Sequence, residues 1–177
     1  MEAKDTDRIN RILNHNDFSA AMDVIKKYEV NRIFCIHDIE HLLSVARIMY
    51  IRSLEDRCQE GCNEQADSYA DFSKEIIYAA ALLHDIGRAR QYTDGEQHDQ
   101  ASARMADKIL RDSGFEEKDI KLICNAILGH NHENKTAGNK LGILLKYADK
   151  QSRNCFTCDA YEECNWKEER KNNRISV

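Results

Sequence analysis

The sequence predicts an all-α fold, a compact helical bundle of about seven or eight helices. Three observations carry this. The 177 residues contain no proline and only seven glycines, so few positions break a helix. Runs in which β-branched and polar residues strictly alternate, the mark of a half-buried strand, are missing. Apolar residues recur instead at helical spacing, as at Ile39, Leu42, Leu43, Ala46, Met49 and Tyr50.

Taken in order, the pattern places helices at 4–14, 17–29, 37–58, 67–86, 97–113, 116–130 and 138–152, with a further one at 160–171. Asp17, just before FSAAMDVIKKY, is the expected N-cap of the second. The 37–58 helix carries the apolar stripe above. The run IIYAAALL, 76–83, is apolar all round, so its helix must be central and surrounded by others. Gly61 with Asn63, and YTDGEQ at 92–97, mark loops. Gly114 in DSGFEEKDI stops one helix before the next begins. With no internal repeat, low-complexity tract or linker, residues 1–177 read as one domain.

Composition narrows the partners. Charged residues make up 32% and the formal net charge is −5. A broad basic face for nucleic acid is therefore absent, and an anionic substrate needs local positive charge. Metal ions would supply it. MEAKDTDRIN lacks the apolar core of a signal peptide, and no run approaches the roughly 18 apolar residues of a membrane span. Seven cysteines, an odd number, fit a reducing compartment better than a disulfide framework. The expectation is a cytoplasmic protein without membrane or nucleic-acid partners.

One stretch then stands out. AALLHDIGRAR, 80–90, sets His84 and Asp85 side by side at the end of an apolar run. Neighbours on a helix point about 100° apart and meet one point only from the side. An ion beside the helix meets that condition, and imidazole with carboxylate suits Zn, Mn, Fe or Ni. A plain helix end, with His84 near the negative dipole pole, accounts for the pair equally well. The dipeptide recurs, however, among similar features. His41 and His98 open helical stripes, His130 closes one in AILGHNHE, and Asp149 lies near the end of LLKYADK. A bundle can bring such helix ends to one pocket.

The order His41, His84-Asp85, Asp149 resembles the HD-domain superfamily of metal-dependent phosphohydrolases. ALLHDIGR is similar to the family's LLHDIGK and YADK to its closing ADK or ADR. The resemblance spans about 37–153, leaving 154–177 as a cysteine-containing extension. It implies that His41, His84, Asp85 and Asp149 hold one divalent ion, whether Mn, Fe, Ni, Co or Zn. It also implies that His98 and His130 complete a second, bridged by Asp85, with His132 a rival to His130. His37 becomes a surface group or one behind the ligands, and Asp99 serves the dipole of its helix. The implied reaction is metal-assisted hydrolysis of a small phosphate ester or nucleotide. Asp85 and Arg88 would be its catalytic residues, with Arg88 and Lys150 binding phosphate and Glu133 and Asn134 at the rim. Arg88 stands where the family usually has lysine, and it reads equally as a helix-end arginine covering free carbonyls. Two other classes stay open: a di-iron oxygenase using the same six ligands, and a non-catalytic nucleotide or redox sensor.

The extension holds Cys155, Cys158 and Cys164, then Trp166. Three close thiols suit Zn or an iron–sulfur cluster, which need a fourth ligand. Cys58 and Cys62 are weak candidates because Gly61 interrupts their helix. Cys35 and Cys124 read as core residues. Free thiols are the plain alternative.

Overall fold

The computed structural model describes residues 7–59, 69, 71–130 and 140–175. Eight α-helices run through them: α1 (Asp7–Leu13), α2 (Asn16–Tyr28), α3 (Ile39–Gln59), α4 (Lys74–Leu83), α5 (Arg88–Asp94), α6 (His98–Asp112), α7 (Glu117–Gly129) and α8 (Lys140–Gln151). Two 3-10 turns follow, at Cys155–Thr157 and Glu168–Arg170. No described residue lies in a strand, and no described helix is long and apolar enough to cross a membrane.

The centre is α4, as its all-round apolar sequence requires. Ile77 and every residue from Ala79 to Leu83 are fully buried, and α1, α3, α6, α7 and α8 all touch the helix. Its three consecutive alanines let those neighbours come close. Ser73 caps its start, accepting the Ile76 N–H at 3.3 Å. Glu75 in the first turn is held by Arg8 of α1, whose Nε donates at 2.8 Å. Against α4 packs the stripe of α3, with Leu42, Val45, Ala46 and Met49 buried and Leu43 and Tyr50 half-buried. Between α6 and α7, Gly114 takes a left-handed φ of 84°. That turn lets the Phe115 N–H reach the Leu110 carbonyl at 3.0 Å, a closure that side-chain-bearing residues adopt only at a cost.

Four expectations need correction. The second helix begins at Asn16, and its cap is His15, whose Nδ1 accepts the Asp17 N–H at 3.1 Å. Asp17 instead pairs with Lys108. The helix expected over 67–86 spans only Lys74–Leu83. Past it the chain turns sharply and enters α5, inside which half of the expected 92–97 loop falls. Tertiary contact outweighs loop composition there, because Tyr92 stacks on Tyr28 at 5.5 Å and donates its hydroxyl to Glu29. Finally, the 160–171 helix is absent. Among the described apolar residues of the extension only Ala160 is buried, and a helix without a buried face has little to hold it.

Gly87 is the tightest point. A Cβ there would stand 2.2 Å from the His98 carbonyl oxygen and 2.3 Å from the Ser102 nitrogen. Its own N–H donates to Ser102 Oγ at 2.8 Å. Only glycine lets the turn after Asp85 rest on the start of α6. Gly87→Ala is therefore expected to cost about 1–3 kcal/mol in urea unfolding, as overpacking against backbone does. An unchanged unfolding midpoint would show that α6 can move away freely.

Candidate metal centre

Five helix ends meet at one pocket. His41 lies in the first turn of α3, and His84 caps the end of α4 with Asp85 next. His98 opens α6, His130 caps the end of α7, and Asp149 sits in the last turn of α8. The structure thus brings together all six residues that the sequence marked as ligands.

They form two sets that share Asp85. In the first, the ligand atoms of His41, His84, Asp85 and Asp149 lie within 4.8 Å of one another; in the second, those of Asp85, His98 and His130 do. His41 Nε2 is 3.5 Å from Asp149 Oδ1 and 3.8 Å from Asp85 Oδ2. His84 Nε2 is 3.4 Å from Asp85 Oδ2. The other oxygen, Oδ1, lies 3.7 Å from His98 Nε2. The carboxylate therefore presents one oxygen to each set.

Each ring is turned by its far nitrogen. His84 Nδ1–H donates to the Ala81 carbonyl at 2.7 Å and His130 Nδ1–H to the Ile127 carbonyl at 2.5 Å. Both carbonyls lie in the last turns of their helices, where intrahelical amide partners run out. The sequence offered His84 as helix-end group or ligand; it makes the helix-end hydrogen bond and still turns Nε2 toward the other candidate ligands. His41 Nδ1 is 3.3 Å from Ser152 Oγ, whose hydroxyl donates to the Asp149 carbonyl at 2.7 Å, so His41 Nδ1 carries a proton as well. All three Nε2 atoms are left pointing inward, the orientation that metal-binding histidines need.

The residues fit a divalent cation. His41 Nε2, His84 Nε2 and Asp85 Oδ1 are buried without a hydrogen-bond partner, a state that costs free energy unless an ion completes it. Donors at about 2.1 Å from one tetrahedral ion stand about 3.4 Å apart, close to the spacing seen. Mixed imidazole and carboxylate donors favour Zn, Mn, Fe, Co or Ni. Asp149 is the most exposed of the six, its side chain 33% exposed against 3% for Asp85, so the cluster opens to solvent on that side.

Charge in the metal-free pocket is arranged around His84. Burial alone would lower its pKa, but Asp85 and Asp149 overcome this and push it up to about 10. Burial, reinforced by the His84 charge, takes His41 and His130 down to about 4. Burial and then Arg88 lower His98. Asp149, which burial would raise, is held at about 2 chiefly by His84.

His37 is no surface group. It is 7% exposed; its Nδ1–H donates to Glu29 Oε1 at 2.6 Å and its N–H to Oε2 at 2.7 Å. Its Nε2 stands 3.8 Å from Asp85 Oδ2. Burial opposes ionisation of Glu29, yet the His37 hydrogen bonds hold its pKa at about 2. Sequence reading missed Glu29, Tyr92 and Ser152. Glu29 did leave a signal, as an acidic residue just past the end of α2, where the dipole disfavours it.

Arg88 stands in the first turn of α5. Its Nε is 3.0 Å from Asp85 Oδ1. Lys150 is exposed on α8, its pKa lowered by burial and by Lys146, Arg153 and Arg170. Asp99 lies in the first turn of α6, the position expected of a residue serving that helix's dipole, and is buried there. Cys124 packs against the core, but Cys35 faces the extension. Cys62, His132, Glu133 and Asn134, with the side chain of Cys58, lie outside the described residues.

An all-α bundle that gathers His, His-Asp and Asp from helix ends is a metal-site scaffold. The HD domain family model matches residues 38–156, and the chain belongs to that family. A Clostridium beijerinckii protein named "Uncharacterized protein" is 37% identical over 96% of this chain and 98% of its own length. Bacillus subtilis "Putative phosphohydrolase YueE" is 36% identical over 45% of this chain and 53% of its own. The structure of a predicted HD superfamily hydrolase from an uncultured Thermotogales bacterium superposes with a TM-score of 0.56. At 22% identity, over 88% of this chain and 79% of that one, it shows a shared fold.

The protonation of His84 sets a test. From its ordinary value of 6.5 up to about 10 the metal-free protein holds a proton there, and a cation must expel it. Binding of an ion to the first set at pH 7–9 is expected to release about one proton per protein, from His84, and to tighten about tenfold per pH unit. Calorimetry in buffers of different ionisation enthalpy reads both. Binding without proton release would mean that His84 is already neutral.

Proposed function

We propose that the protein is a metal-dependent phosphohydrolase acting on a small phosphate ester or nucleotide in the cytoplasm. The observation that carries the reading is the placement of Asp85, one oxygen toward His41 and His84 and the other toward His98. Such a carboxylate can bridge two ions, with His41, His84 and Asp149 around the first and His98 and His130 around the second. Bound divalent ions supply a water of lowered pKa and polarise a phosphoryl oxygen. The protein's own part is to fix the donors, keep the inner wall dry and hold the substrate.

Arg88 is placed for the last of these. Its side chain is 21% exposed, enough for the outer guanidinium N–H groups to reach a phosphate while Nε remains beside Asp85. The formal charge of −5 favours a small substrate over a polyanion. YueE, named a phosphohydrolase, supports the reaction class. So does a relative from Chromobacterium violaceum, 31% identical over 49% of this chain. It is named a bifunctional uridylyltransferase/uridylyl-removing enzyme, although the match spans only 10% of it.

The test is a panel of nucleoside mono-, di- and triphosphates, dinucleoside polyphosphates and sugar phosphates, each with Mn, Co, Ni or Fe. One substrate class should release phosphate or nucleotide, and chelation should stop it. Asp85→Ala should abolish turnover, whereas Arg88→Ala should chiefly raise KM, if Arg88 binds ground and transition states alike. Iron-dependent O₂ uptake with no release from any phosphate compound would replace this reading with the oxygenase.

Metal stoichiometry tests the pairing separately. The double variant His98→Ala/His130→Ala should bind about one ion fewer than wild type and keep the first site. A wild-type protein that saturates at one ion would leave Asp85 as an ordinary single-site ligand.

A further inference from the structure

We propose that Cys35, Cys155, Cys158 and Cys164 together ligate an iron–sulfur cluster, at a site separate from the histidine–aspartate centre. All four are half-buried and free of disulfides. They wall one small cavity beside Arg153 and Lys171. The sequence supplied three of these thiols and lacked a fourth. Cys35 is that fourth, brought across from the connection between α2 and α3.

The backbone delivers the thiols by a run of turns. The Cys158 N–H donates to the Cys155 carbonyl at 3.2 Å, the Tyr161 N–H to the Cys158 carbonyl at 3.1 Å and the Cys164 N–H to the Tyr161 carbonyl at 3.4 Å. Each turn starts or ends on a cysteine, so the spacing of two and then five intervening residues becomes one cup. Little else fixes this path. Ala160 is the one buried apolar residue among those described past α8, while Phe156 and Trp166 are 46% and 42% exposed. Some twenty ordered residues with so little apolar burial need another source of free energy, and metal–thiolate bonds supply it.

Charge agrees. Four thiolates on a metal centre carry net negative charge, and two cations stand on the cavity wall. Arg153 lies over the Trp166 ring at 4.7 Å. Lys171, its side chain only 9% exposed, lies 3.8 Å above the Tyr161 ring and donates to the Tyr161 carbonyl at 3.0 Å. Phe34, Tyr161 and Trp166 form the apolar part of the wall.

Spacing separates a cluster from a lone zinc. Zinc binds thiolates at about 2.3 Å, which sets them about 3.8 Å apart. Among the described residues, only the two histidine–aspartate sets bring three or more ligand atoms within 4.8 Å of one another. No three of the thiols meet that spacing. A cluster distributes its four thiolates over separate irons and so does not require it.

The test is anaerobic purification of the full chain from iron-supplied cells, with iron, acid-labile sulfide and zinc measured beside the visible spectrum. Wild type should carry sulfide and iron with broad visible absorption. His84→Ala should keep the sulfide, because the histidine centre is a different site. Cys158→Ser and Cys35→Ser should each lose at least most of it, and Cys124→Ser should lose none. Sulfide-free wild type, zinc held by these thiols, or full sulfide in Cys35→Ser would each overturn the proposal. The wild-type measurement decides even if a cysteine variant does not fold.

Discussion

Asp85 is a carboxylate carried into the core on the end of the most buried helix, and the surrounding architecture answers that burial. An isolated charge in such a place costs several kcal/mol. Here Arg88, His37, His84, His41 and His98 all stand within 4 Å of its oxygens. Three helices, α4, α7 and α8, also aim their C-termini at the pocket, adding the negative ends of their dipoles. A second carboxylate, Asp149, sits in the last turn of α8, where that dipole is unfavourable. So much negative potential at one point is stable only around positive charge, which Arg88 and a protonated His84 supply.

A ring of supports keeps these groups in place. Glu29, itself held by Tyr92, holds His37, Ser152 holds His41, and carbonyls in the last turns of α4 and α7 hold His84 and His130. The contact of Gly87 with α6 is of the same kind, since it fixes how near His98 comes to Asp85. These supports come from four stretches distant in sequence, at Glu29, 81–92, Ile127 and Ser152. The site can therefore be rigid although every ligand sits at a helix end, where isolated helices fray.

What the sequence made legible follows from this design. An apolar run such as 76–83 has one stable environment, so the central position of α4 could be read directly. The candidate ligands could be read because each is a titratable residue at one end of an apolar stripe, a combination that packing alone does not favour. The supports could not be read. Glu29 and His37 are eight residues apart and meet only because α2 ends where α3 begins. Helix α5 was hidden because Tyr92 and its contacts, not local preference, extend helix through Thr93 and Asp94. The 160–171 segment misled in the opposite sense: its composition tolerates helix, but it has no apolar stripe to bury.

Cys35 shows why the thiol cup and the metal centre belong to one structural problem. It lies two residues before His37, on the connection that delivers His37 to Glu29 and Asp85. On the opposite wall, Cys155 lies three residues after Ser152, the partner of His41 Nδ1. One groove runs from His41 and Ser152 past Arg153 to Cys155 and Cys158. Each wall thus carries a thiol and a support of the histidine–aspartate centre. A cluster holding the walls together at the thiols, as proposed above, would limit how far His37 and Ser152 can separate. The extension adds almost no apolar burial of its own, so its influence on the histidine–aspartate centre would pass through these two short spans of chain.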